Sequence, residues 1–451
     1  MMNRDIYSHL LKWKSSKNRK PLILKGARQV GKTHILNHFG KTEYINVVYF
    51  NFEKDPNLGD FFEAKIDTSK ILEKLAIYSE KKINRETTLV IFDEIQACPN
   101  AIKSLKYFNE ENNDYHLAAA GSLLGVKLGR TAFPVGKVNF LTLFPLTFLE
   151  FLDGTGSKRL RTYLENLTEC EPIEQAFHER LLDELRLYFF IGGMPEAIVT
   201  YLEKHDLKDV RKVQNDILTG YESDFSKHVD SAADAHKIAA LWASVPGQLA
   251  RENKKFKYSE IVKKARSRDY TNSLKWLSDA GLIIQAHKIT TAQLPLSAYK
   301  VEDSFKIYFL DTGLLGAKLK LSAKTIIQGE TLFEQFSGAY TENYVAQELI
   351  GKGFSDVCYW ASPNEAEVDF VVSFAEKIYP LEVKAGGNGK AKSLRVYAAK
   401  FKPPAISIAT IRNLKRDDDH CNFPLYAINR FPDLVAPKGD MAEQLGLGIV
   451  D

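Results

Sequence analysis

Residues 26–33 read GARQVGKT, which fits GxxxxGK[ST] through Gly26, Gly31, Lys32 and Thr33. An apolar run, Leu22 to Lys25, precedes the stretch and a helical pattern begins near Thr33, so it has the strand–loop–helix setting that a phosphate loop requires. Glycine lets the backbone curl until successive N–H groups of Gly26, Ala27, Arg28, Gln29, Val30 and Gly31 face phosphate oxygens. Lys32 would neutralise the β- and γ-phosphates, the Thr33 hydroxyl would bind Mg²⁺, and the following helix would present its positive end. ATP with Mg²⁺ is the expected ligand.

The surrounding pattern agrees. Between residues 21 and 143 short apolar runs (PLILKG, YINVVYFNF, TTLVIFDE, HLAAAGS and KVNFLTLF) alternate with helical stretches. The runs are nearly continuous rather than alternating, as in strands buried on both faces of a parallel α/β sheet. TTLVIFDEIQ places Asp93 and Glu94 at the C-terminal end of one such strand, where parallel sheets bind ligands. Asp93 would hold Mg²⁺ through its water shell, and Glu94 would polarise the attacking water. HLAAAGS ends on Ser122, which is positioned to sense the γ-phosphate or else is a turn serine.

These residues, with AAGSLLG, the Gly129–Arg130 pair, LFPLTFLEF and GGMPEA, resemble the prokaryotic AAA+ ATPases of the archaeal-ATPase group. The likeness runs in order from residue 1 to about 430. It implies an α/β P-loop NTPase (AAA+) core with a parallel sheet over residues 1–144 and a helical lid over 145–233. A winged-helix domain over 234–325 and a C-terminal α/β restriction-endonuclease-like domain over 326–451 would follow. By the same resemblance Ser122 is the sensor, and Arg130 falls where the family carries GR, its role unassigned. No lid arginine stands out.

Composition sets wider bounds. With 45% hydrophobic and 26% charged residues, the chain is ordinary for a globular protein. No apolar run approaches the ~20 residues that would span a bilayer, so no membrane partner is expected. Four separated cysteines (Cys98, Cys170, Cys358, Cys421) form no CxxC pair, and the N-terminus lacks the apolar core of a secretory signal. A reduced, cytoplasmic protein is expected.

The net charge of +4 argues for no partner, but its distribution does. Residues 251–288 hold ten Lys/Arg against four Asp/Glu, and residues 376–402 seven against two. Within the first stretch, YSEIVKKARSRDYTNSLKWLSDAGLIIQAHKI reads as a short helix after Tyr258, a second helix over about 271–280 and a strand. That suits a winged helix, with Lys263, Lys264, Arg266, Arg268 and Lys275 meeting the phosphates of double-stranded DNA. A module for protein contacts is the alternative.

EVDFVVSFAEKIYPLEVK, residues 367–384, reads as two strands joined near Ala375–Glu376. A two-residue turn there places Asp369 opposite Glu382, and the period of two puts Lys384 on the same face as Glu382. Upstream, Glu342 falls on a helix face among Ala339, Val345, Ala346 and Leu349, where a carboxylate needs a partner. Glu342, Asp369, Glu382 and Lys384 resemble the site of PD-(D/E)xK nucleases, which implies Mg²⁺-assisted phosphodiester hydrolysis, although Val368 stands where the family has proline. An inherited nuclease fold serving only for docking is the other reading.

Three functions stand open at this point: an Mg²⁺-dependent ATPase whose nucleotide state controls the C-terminal half, an ATP-regulated DNA nuclease, and a slow-turnover switch using its rear domains to contact a protein partner. The oligomeric state is not legible.

Overall fold

The computed structural model describes residues 2–63, 66–121, 136–227, 231–251, 255–263, 265–324, 337–363, 366–385, 391–417 and 420–437. They fall into two compact units.

The first unit comprises Asn3–Phe144 with Asp279–Gly281. Its elements are α1 (Ile6–Ser15), β1 (Leu22–Lys25), α2 (Lys32–Glu43), β2 (Asn46–Asn51), α3 (Thr68–Ser79), β3 (Thr88–Asp93), α4 (Pro99–Glu111), β4 (His116–Ala120) and β5 (Asn139–Thr142). The five strands form one parallel sheet in the order β2-β3-β4-β1-β5. Every residue of β3 and β4 is buried, which is why these strands read as unbroken apolar runs. Phe50, Phe52, Phe62, Phe92 and Phe108 pack in one aromatic cluster over the sheet.

The second unit comprises Pro145–Ser278 and the chain from Leu282 onward. Its helical part holds α5 (Phe148–Gly154), α6 (Lys158–Glu165), α7 (Gln175–Ile191), α8 (Pro195–Lys204), α9 (Leu207–Lys227), α10 (Ala232–Leu249) and α11 (Ser267–Asp279). Then come β6 (Ile283–Ile289), β7 (Lys300–Phe309), α12 (Thr312–Lys318), α13 (Ser337–Gly351), β8 (Cys358–Ala361), β9 (Glu367–Phe374), β10 (Lys377–Val383), α14 (Lys392–Phe401), β11 (Ser407–Thr410), β12 (Lys415–Arg416) and β13 (Cys421–Pro424). One mixed sheet of eight strands runs β12-β13-β11-β10-β9-β8-β6-β7. β6, the strand expected to close the winged helix, pairs with β7 in antiparallel and with β8 in parallel, so the sheet continues across the boundary drawn at residues 325/326.

Two local expectations shift. Among the described residues after Tyr258 there is a single 3₁₀ turn, Tyr258–Glu260, in place of a short helix, and the second helix begins four residues early, at Ser267. The stretch between is rich in β-branched and basic residues and offers no apolar stripe to pack a helix.

The GGMPEA and LFPLTFLEF segments explain each other. The Leu146 N–H donates to Gly193 O at 2.7 Å, and the Tyr188 hydroxyl to Leu146 O at 2.6 Å. A Cβ on Gly193 would stand 2.2 Å from that same Leu146 oxygen, so only glycine allows the approach. The Gly193 N–H in turn donates to Asp311 Oδ2 at 2.6 Å, while Asp311 Oδ1 caps α12 by accepting from the Leu314 N–H at 2.9 Å. Gln347 of α13 reaches Asp311 and accepts from the Thr312 N–H. Burial raises the Asp311 carboxyl to about 6, against the pull of these donors.

Candidate active site

The phosphate loop is built by backbone that other residues resist. Gly26 has φ +143°, and a Cβ there would meet Leu143 O at 2.2 Å, since β1 and β5 close on each other at that point. Gly31, at φ +97°, leads into α2, whose first turn has no side-chain cap. Its free N–H groups therefore face the loop. Lys32 is buried, and its Nζ donates to the loop's own carbonyls, Gly26 O at 2.8 Å and Ala27 O at 2.7 Å. Burial pulls its ammonium down to about 8, against the opposing influence of Glu94 and Asp93.

Asp93 ends β3 beside this loop. The Thr33 hydroxyl donates to Asp93 Oδ2 at 2.9 Å, and the Tyr49 hydroxyl of β2 donates to the same oxygen at 2.6 Å. A hydroxyl and a buried carboxylate in contact at the mouth of a phosphate loop are hard oxygen donors, and they fit Mg²⁺. Glu94 follows in the left-handed region, at φ +48°, and accepts on Oε2 from the Gln96 amide. Backbone held in that region by a non-glycine residue often marks a functional position. Tyr49 and Gln96 were not singled out from sequence, although each is a polar group on or beside an apolar strand. Ser122 and Arg130 lie outside the described residues.

The C-terminal residues also meet. The Ala375–Glu376 turn has φ +46° and +56°, the two left-handed residues of a tight hairpin. It fixes the register Lys377↔Phe374 through Leu381↔Phe370, which carries Asp369 and Glu382 opposite each other. Asp369 Oδ2 accepts from the Val383 N–H at 2.9 Å, and Lys384 Nζ pairs with Glu382 Oε1 at 2.5 Å. Burial, then the Asp369 charge, push the Glu382 carboxyl up to about 7. Glu342 lies on α13, which is buried on all sides rather than along one face.

One group at this place was missed. Lys306 of β7, 1% exposed, stands with its Nζ 3.7 Å from Glu342, 3.3 Å from Asp369 and 2.5 Å from Glu367. The Tyr308 hydroxyl donates to Glu342 at 3.2 Å. Glu342 and Asp369 therefore do not fit a shared divalent ion as they stand, because an ammonium already bridges them. Among the described residues no group of three or more His, Cys, Asp or Glu is arranged to hold a metal. The signal for Lys306 was available: a lone lysine inside the apolar run SFKIYFL.

Residues 18–152 match the model of an AAA domain. Over these residues the chain is similar to an AAA domain. Beyond the AAA domain, residues 182–325 and 337–428 match two domains of unknown function, DUF8612 and DUF4143. No curated protein matches the chain. Among solved structures it is similar to the Walker-type ATPase of Pyrococcus abyssi (14% identity, 71% of this chain and 96% of that one, TM-score 0.43). It is also similar to the Aeropyrum pernix ORC1 protein in complex with DNA (12% identity, 70% and 90%, TM-score 0.27). The Thermotoga maritima RuvB Holliday junction branch migration motor is a third (14% identity, 65% and 91%, TM-score 0.29). Among the described residues no helix is long and apolar enough to cross a membrane.

Proposed function

We propose that the chain is an Mg²⁺-dependent ATPase whose nucleotide state controls its C-terminal half, and that this half acts on nucleic acid. The observation that carries the reading is the contact of Thr33 with Asp93 beside a loop whose lysine is folded back on its own carbonyls. Lys32 satisfies Gly26 O and Ala27 O, and triphosphate would draw it outward while the loop and α2 N–H groups take the phosphate oxygens. Thr33 and Asp93 would hold Mg²⁺, which when bound neutralises charge developing on the β- and γ-phosphates. Glu94 would orient and deprotonate the attacking water, released from Gln96 as it turns to the nucleotide. Lys263 and Arg266 are exposed on the basic segment before α11, a placement that suits contact with phosphates of a DNA backbone.

Phosphate release with Mg²⁺ tests the reading. Lys32→Ala should lose nucleotide binding. Glu94→Gln should retain binding while hydrolysis falls about 10²–10⁴-fold, the range expected for loss of a general base. Hydrolysis by Glu94→Gln at the parental rate would remove Glu94 from the mechanism.

A further inference from the structure

A buried lysine needs negative partners, and buried carboxylates need positive ones. Lys306 and its acids meet both needs from separate segments: β7 supplies the ammonium, β9 supplies Glu367 and Asp369, and α13 supplies Glu342. Burial works against the lysine's charge, yet Glu342, Tyr308, Asp369 and Glu367 hold it well above the ordinary range. The Lys306 ammonium also stands 5.1 Å from the centre of the Tyr359 ring, whose hydroxyl contacts Ser304. At 1% exposed, this cation is almost wholly enclosed.

A divalent ion shared by Glu342 and Asp369 would need carboxylate oxygens at about 2.0–2.6 Å in a shell of six or more oxygens. The ammonium lies within 3.7 Å of both acids, in the space such an ion would take. An ion entering there would either sit against a fixed positive charge or expel Lys306, leaving it buried and unpaired. We infer that Lys306 is the resident cation of this acid cluster, so that the C-terminal domain takes up no divalent metal there and uses the cluster to clamp β7 onto β9 and α13. The domain then keeps the nuclease-like arrangement of Asp369, Glu382 and Lys384 while Glu342 and one Asp369 oxygen are already engaged by Lys306. This inference stands apart from the ATPase reading.

The test uses the full chain without nucleotide and Mn²⁺ alone as probe, with bound ions counted by electron paramagnetic resonance. A Thr33→Val background removes the hydroxyl donor of the phosphate loop. In that background the protein should bind no Mn²⁺ that Asp369→Asn abolishes. Lys306→Gln, nearly isosteric and neutral, should gain Mn²⁺ binding at least tenfold tighter, and adding Asp369→Asn should cancel the gain. An Asp369-dependent ion in protein with Lys306 intact would overturn the inference, as would a folded Lys306→Gln protein that gains none. If Lys306→Gln does not fold, the ion count with and without Asp369→Asn still decides.

Discussion

Thr33 and Asp93, sixty positions apart, meet at 2.9 Å, and the Tyr49 hydroxyl reaches the same carboxylate oxygen at 2.6 Å. The parallel order β2-β3-β4-β1 brings this about, by setting the C-terminal ends of β2 and β3 and the start of α2 on one end of the sheet. Tyr49 feels the arrangement too: burial and its bond to Asp93 raise its hydroxyl to about 12. Tyr49→Phe removes one donor to Asp93 and leaves the loop intact. It should change the concentration of Mg²⁺ that half-saturates hydrolysis, with little effect on nucleotide binding in the absence of metal. Unchanged Mg²⁺ dependence would limit Tyr49 to packing.

Lys32 predicts a proton count. Its folded value of about 8 lies below the ordinary 10.5, so the folded protein gives up this proton sooner than the unfolded chain as pH rises. The burial of Lys32 therefore costs stability at neutral pH, and the cost fades between about pH 8 and 10.5. Triphosphate favours the charged form and should restore the proton. Calorimetric titrations with Mg-ATP at pH 9, in buffers of different ionisation enthalpy, should show uptake approaching one proton per site. The same titrations at pH 6.5 should show almost none. Equal heats in both buffers at pH 9 would contradict the burial of Lys32.

Removing Lys306 leaves acids that the fold buried around it. Lys306→Ala should lower the stability of the C-terminal unit by about 3–5 kcal/mol at pH 7, as for one partner removed from a buried ion pair. The carboxyls left behind would have raised folded-state values, so the folded variant binds more protons than its unfolded chain. Its deficit should shrink as pH falls from 7 toward 5. Urea denaturation at both pH values measures the difference, and a deficit independent of pH would place the loss in packing instead.

Gly193 offers a steric test. A methyl group there would meet Leu146 O at 2.2 Å and disturb a turn whose N–H is bound by Asp311. Gly193→Ala should cost about 1–3 kcal/mol, the usual scale for overpacking. A melting temperature equal to the parent's would show that the turn relaxes freely.

The basic segment makes a prediction about salt. If Lys263 and Arg266 each meet a backbone phosphate of duplex DNA, their joint replacement by alanine should flatten the slope of log affinity against log salt by about 0.9 for each phosphate no longer neutralised. An unchanged slope would move the interface elsewhere.

The sequence was most informative where chemistry and structure are local. The phosphate loop is a run of eight residues, and the Asp369–Glu382 juxtaposition follows from a hairpin whose two-residue turn sets its own register. What the amino-acid pattern does not carry depends on segments far apart in the chain. Lys306 reaches its acids only because β6 joins β8, and a pairing between distant strands leaves no periodic trace. Asp311 reads as an ordinary helix cap in FLDTG, which it is, yet its second oxygen holds the Gly193 turn. The missing helix after Tyr258 is a failure of another kind: the basic spacing suited a binding surface, but nothing in it offsets the entropy of ordering a helix.

The unbroken eight-stranded sheet also bears on how this gene can be cut and recombined. A shortened protein beginning near residue 330 would look modular by its amino-acid pattern. It would nevertheless leave β8 as a bare edge, with the backbone of Cys358–Trp360 unpaired where β6 had been. It would discard Lys306 as well, so Glu342 and Asp369 would meet in the fragment without their counter-charge. Such a fragment would be prone to edge-to-edge association and could acquire an affinity for metal that the intact chain does not have. Chimeras between relatives should carry residues 282–437 as one inherited block, because a crossover within it mixes a lysine from one lineage with acids from another.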